Sequence, residues 1–76
     1  MNIEKIKRIF NEKGIVKFKI YALDYTIEKI DDSVFIYADL YDMKKKEYKS
    51  IDEALKDYKI FRENIESNED KISNIY

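Results

Sequence analysis

The side chains in this sequence with acid, base, ligand or contact chemistry are carboxylates, lysines and tyrosines. The chain has neither Cys nor His, so a thiolate nucleophile, an imidazole base and the usual zinc ligands are all missing. Catalysis would rest on paired carboxylates, which can share general acid and base work or hold a hard cation through oxygen. Asp31-Asp32 is the one adjacent acidic pair of the middle region, and Asp24, Glu28 and Asp39 are spaced so that two strands could bring them together. Neither arrangement comes with a calcium loop, a glycine-rich phosphate loop or an HExxH spacing. An Asp pair between two alternating runs is what a turn uses to bond its own backbone. The expectation is a protein that is not an enzyme and takes no cofactor and no metal.

Contact chemistry is the stronger theme. Seven Tyr and four Phe are a high aromatic load for 76 residues, and a tyrosine ring with a polar tip gives contact area at low entropic cost. Val34 to Tyr41 alternates as a strand, predicting a core face of Val34, Ile36, Ala38 and Leu40 and an opposite face of Phe35, Tyr37, Asp39 and Tyr41. Tyr21, Lys17 and Lys19 fall on the corresponding side of the preceding run. The binding set read from this pattern is therefore Tyr21, Phe35, Tyr37, Tyr41, Lys17 and Lys19.

Two occupants suit such a face. Bases of a single-stranded nucleic acid can stack on its rings while its amines meet phosphates, or a protein, including a second copy of the chain, can cover it. Charge separates the two. Basic outnumber acidic residues by six to two in residues 1–22 and by four to one in 43–49, but acidic outnumber basic by six to one in 23–42 and by seven to four in 50–76. That alternation, with a net charge of −1, leaves no broad phosphate footprint. The expectation is a small protein-interaction module or homodimer, with single-stranded nucleic acid as the alternative. The bias toward Lys, Ile, Asn, Asp and Tyr fits an AT-rich bacterial or phage genome, and with it an inhibitor or adaptor of the mobile-element kind. Lys44, Lys45 and Lys46 read as a solvated turn and edge protection, not as a site.

These residues need elements to hold them. Ile3, Ile6, Ile9 and Phe10 mark one stripe of a helix over Met1 to Lys13, capped by Asn2 and stopped at Gly14, the only glycine. Val16, Phe18, Ile20 and Ala22 then alternate. The inward phase slips to Leu23, Tyr25 and Ile27, which predicts one long strand with a bulge near Ala22 to Asp24, since no Gly, Pro or Asn marks a two-residue turn there. Asp31-Asp32-Ser33 connects to the strand at Val34, placed in the middle of the sheet; Asp42 to Lys46 is the next turn, and Glu47 to Lys49 a short edge strand. Ser50 to Glu53 is a capping box, opening a helix of roughly four turns marked by Ile51, Ala54, Leu55, Tyr58, Phe61 and Ile65.

The predicted fold is α+β, one domain over 1–76 in the order α-β-β-β-α, with a three-stranded antiparallel sheet and a frayed tail at 67–76. A chain this short buries only about 60% of its unfolded surface, so cover for both sheet faces is scarce. No stretch approaches the ~20 apolar residues of a membrane helix, and the expectation is a cytoplasmic protein without membrane contact.

Overall fold

The stripe of Ile3, Ile6, Ile9 and Phe10 forms the first helix, α1, at Asn2–Lys13, with Ile6 and Phe10 buried. The structure is a computed structural model; it describes residues 1–76, with side chains at every position but 42. Gly14 ends α1 in the left-handed region at φ 75°, and its N–H donates to the Phe10 carbonyl at 2.7 Å. The start of α1 differs from expectation. Met1, not Asn2, occupies the cap position, and it makes no side-chain cap bond. The Glu69 carboxylate accepts the Ile3 N–H at 3.1 Å, and the Asn2 amide donates to the carbonyls of Glu69 and Ile72. A cap supplied from 66 positions away leaves no local sequence signal.

The alternating runs form an antiparallel sheet of β1 (Ile15–Ile20), β2 (Leu23–Ile30), β3 (Ser33–Ala38), β4 (Lys46–Tyr48) and a last strand, β7 (Ile72–Ser73), in the order β4-β3-β2-β1-β7. The fold is α+β as expected, but the sheet has five strands and not three. The predicted bulge is a hairpin turn. Ile20 pairs with Leu23 across Tyr21-Ala22, and Tyr21 takes φ 58°, so the phase slip is the reversal of the chain, made without glycine. Asp31-Asp32 turns β2 into β3 in the same way, with Asp31 at φ 56°. The middle strand is therefore β2, flanked by β1 and β3, while β3 ends at Ala38.

Beyond Ala38 the chain enters a 3-10 segment, Asp39–Lys44, kinked at Tyr41. Leu40 is thus an exposed turn residue and not part of the core face. The turn expected at Asp42 to Lys46 overlaps this segment; the side chain of Asp42 lies outside the described residues.

Ser50 caps the second helix as its motif predicts, accepting the Glu53 N–H at 3.1 Å. That helix, α2, covers only Ile51–Asp57. The chain then makes a small hairpin of β5 (Lys59–Ile60) and β6 (Glu63–Asn64) around Phe61-Arg62, both at positive φ. Ile60 and Ile65 enter the core from this irregular stretch, whereas Phe61 is exposed. Helical spacing mimicked a longer helix because a tight hairpin returns apolar residues to one side at similar intervals.

The tail expected to fray is placed against the body. Glu66–Lys71 is a second 3-10 segment holding buried Asn68, whose amide donates to the Asn64 carbonyl. Ile72 then pairs with Ile20, and Tyr76 exchanges both backbone hydrogen bonds with Lys17. Three steps from Ser73 to Tyr76 face two steps from Lys19 to Lys17, and Asn74 at φ 51° absorbs the extra residue as a bulge.

All the fully apolar burial lies on one side of the sheet. Val16, Phe18 and Ile20 of β1, Tyr25 and Ile27 of β2, and Val34 and Ile36 of β3 meet Ile6 and Phe10 of α1 and Ala54 and Leu55 of α2. Each buried Val, Ile, Leu or Phe contributes about 1.5–3 kcal/mol, and this single layer is where the fold is held. Both helices therefore sit on the same face. The radius of gyration, 11.0 Å, is that of a tightly folded chain of this length.

Candidate interaction surface

With α1 and α2 on one face, the other face of the sheet carries the residues of opposite parity and neither helix over it. Cross-strand pairing arranges them in rows. Lys19 lies opposite Asp24; Lys17 opposite Thr26, and Thr26 opposite Tyr37; Ile15 opposite Glu28, Glu28 opposite Phe35, and Phe35 opposite Glu47. Ile30 follows Glu28 on the same side of β2, and Tyr76 lies across from Lys17. Ile15, Ile30 and Tyr76 are exposed, and Phe35 and Tyr37 are half-buried.

Polar side chains cover the centre of this face. Thr26 is fully buried: its hydroxyl accepts from the Lys17 ammonium at 2.8 Å and donates to the Asp39 carboxylate. Lys17 also lies 3.5 Å from Asp39. The Tyr37 hydroxyl donates to Glu28 at 3.0 Å, and Lys45 stands 4.8 Å above the Tyr37 ring while lying 3.6 Å from the same Glu28. Burial, followed by the bond to Glu28, pushes the Tyr37 phenol above its ordinary pKa. Lys19 and Asp24 make the last pair at 3.8 Å. Each lysine of the face is thus matched to a carboxylate of the face.

Of the six residues read from the sequence, the structure brings Lys17, Lys19, Phe35 and Tyr37 onto this one face. Tyr21 is instead at the tip of the β1–β2 hairpin, its ring edge-to-face with Phe61 at 5.5 Å, and Tyr41 lies in the 3-10 segment beyond β3, exposed. Strand parity could have added Ile15 and Ile30, since they precede Lys17 and follow Glu28 by two residues. Nothing local marked Tyr76, because its place comes from β7 pairing with β1.

The carboxylates considered for chemistry do not converge. Asp24, Glu28 and Asp39 each face a different lysine, and Asp31 and Asp32 form an exposed turn. Among the described residues, no three His, Cys, Asp or Glu side chains come together as a metal site. Lys17, Thr26 and Asp39 resemble a nucleophile with its partners, but the hydroxyl is sealed beneath the other two. No helix is long and apolar enough to cross a membrane.

Comparison of the chain with protein-family models, with curated proteins and with solved structures finds no match.

Proposed function

We propose that this chain is a small non-catalytic protein-interaction module that self-associates through the helix-free face of its sheet. The observation that carries the reading is the placement of both helices on one side, leaving Ile15, Ile30, Phe35, Tyr37 and Tyr76 on the other with no helix over them. Aromatic residues are enriched in protein interfaces, and the buried polar groups at the centre of this face already have their partners, so covering them leaves no bond unmade. The charge pattern favours a second copy. A two-fold interface sets a patch against itself, so a strongly charged face would repel its twin, whereas here Lys17 with Asp39, Lys19 with Asp24 and Lys45 with Glu28 cancel and leave only the Glu47 carboxylate, at the β4 edge, over.

The same pairing weakens the alternative of single-stranded nucleic acid, because the amines that would meet phosphates already face carboxylates. An inhibitor or adaptor role, by analogy with small mobile-element proteins, is compatible with a dimer that presents a further surface.

Dilution of isotope-labelled protein, followed by nuclear magnetic resonance, tests the assignment. Signals of Ile15, Ile30, Phe35 and Tyr37 should move together on dilution while those of Glu4, Arg8 and Asn11 on the solvent side of α1 stay fixed. Shifts confined to other surfaces would overturn the proposed face, and shifts on this face induced by a thymidine oligonucleotide would favour the alternative.

A further inference from the structure

Three turns meet at the end of the sheet where β1 gives way to β2. The β1–β2 turn places Tyr21 against Phe61 of the β5–β6 turn, and a groove of about 400 Å³ lined by Ala22, Leu23, Asp24, Asp39 and Leu40 joins the first turn to the 3-10 segment. This end holds most of the exposed large apolar side chains of the molecule: Met43 is 96% exposed, Phe61 72%, Leu40 71%, Tyr41 55% and Tyr21 53%. Taking about 200 Å² for an open side chain of this size, they present roughly 700 Å², close to the ~800 Å² that one partner contributes to a standard interface. Single exposed apolar residues are ordinary, but five on adjoining turns make a patch.

The backbone of the turns sets where these side chains stand. Tyr21, Phe61 and Arg62 all have positive φ, at 58°, 53° and 74°, where glycine would be relaxed and a side chain is strained. Two-residue hairpin loops require this conformation, and it fixes Tyr21 and Phe61 at the tips of their turns.

Charge identifies the partner. The three segments, residues 19–24, 39–46 and 59–63, carry six basic and four acidic side chains in a chain whose net charge is −1. Asp24 and Asp39 face lysines of the sheet, whereas Lys44, Lys46, Lys59 and Arg62 have no carboxylate within 4 Å among the described residues. We propose that this end is a second docking surface, which takes an acidic protein segment anchored by apolar side chains, the aromatics of the turns receiving the anchors and these lysines and Arg62 the carboxylates. It adjoins the sheet face at Asp24 and Asp39, but its exposed apolar side chains, Tyr21, Phe61, Leu40, Tyr41 and Met43, lie off that face, and the proposal does not rest on self-association there.

The test uses the full chain and a fluorescein-labelled synthetic amphipathic peptide with Leu and Phe on one helical face and Glu on the other. A control peptide carries Lys in place of Glu. Binding of the acidic peptide is expected, weakened on the order of tenfold by Phe61→Gly and reduced by Lys59→Glu combined with Lys44→Glu. Phe61→Gly relieves a strained position, so its melting temperature should hold or rise, which separates lost contact from lost fold. Equal binding of acidic and basic peptides, no binding of either, or retained binding in Phe61→Gly would overturn the proposal. So would a preference for phosphatidylglycerol vesicles, or self-association that Phe61→Gly abolishes, since each assigns the surface to another occupant.

Discussion

Tyrosine in this chain serves two different environments. Tyr25 is buried in the core, stacked on Phe18 at 5.8 Å and edge-on to Tyr58 at 6.4 Å, and burial raises the phenol pKa of both Tyr25 and Tyr58. Burial, with Asp57 and Glu53 nearby, raises that of Tyr48. A raised folded-state pKa means that the fold favours the neutral phenol. The associated stability is fully present below the unfolded value of about 10 and is lost as pH rises through the higher folded values. Denaturation midpoints should therefore fall in alkali, and Tyr25→Phe should flatten that fall; a midpoint that does not respond to alkali would contradict the burial of these phenols. At the acid end, Asp52 is held below its ordinary pKa by its hydrogen bond with Lys7 at 2.7 Å. That support is present above the unfolded pKa of about 4 and lost as pH falls through the folded one, and because the pair is solvent-exposed its weight is small.

Among the elements, those specified by adjacent residues were legible in the sequence and those specified by distant ones were not. The α1 stripe with its Gly14 stop, and the Ser50 cap with Glu53, are local patterns and formed as read. Of the three tight turns, Asp31-Asp32 was read as a turn and is one, whereas the other two escaped because Tyr21, Phe61 and Arg62 occupy positions where glycine or asparagine is the usual signal. Beyond Asp57 the helical spacing was misleading, and β7 could not be foreseen because its pairing with β1 links positions 50 or more residues apart. The candidate face was half legible: parity placed Phe35, Tyr37, Lys17 and Lys19 together, but whether helices covered them depended on packing that no local pattern states. The ordering of the C-terminal segment makes a sharp prediction. Ile72 is buried against the core, so Ile72→Ala should cost about 2–5 kcal/mol in a denaturant melt, whereas a frayed tail would show almost no change.

At the scale of the molecule, a single core under one face of the sheet explains both how so short a chain folds and why it has a bare face. The two helices are too short to cover both sides, and the core they make holds every buried aliphatic side chain. The edges offer little for sheet extension, since β4 is three residues long and begins at Lys46, and β7 is two. The proposed association through this face would cover what the fold leaves open. Phe35 lies on β3, directly between Glu28 of β2 and Glu47 of β4. A lysine there meets two carboxylates, so the fold should tolerate it, while an interface that covers this position loses the ring and must bury an ammonium in its place. The decisive measurement is sedimentation equilibrium across concentration for the wild-type chain and Phe35→Lys, with a thermal melt of each. Self-association through this face predicts a wild-type dimer and a variant that is monomeric with its dilute-solution melting temperature nearly unchanged; a wild-type chain that stays monomeric at every concentration, or a variant that still dimerises, would contradict it.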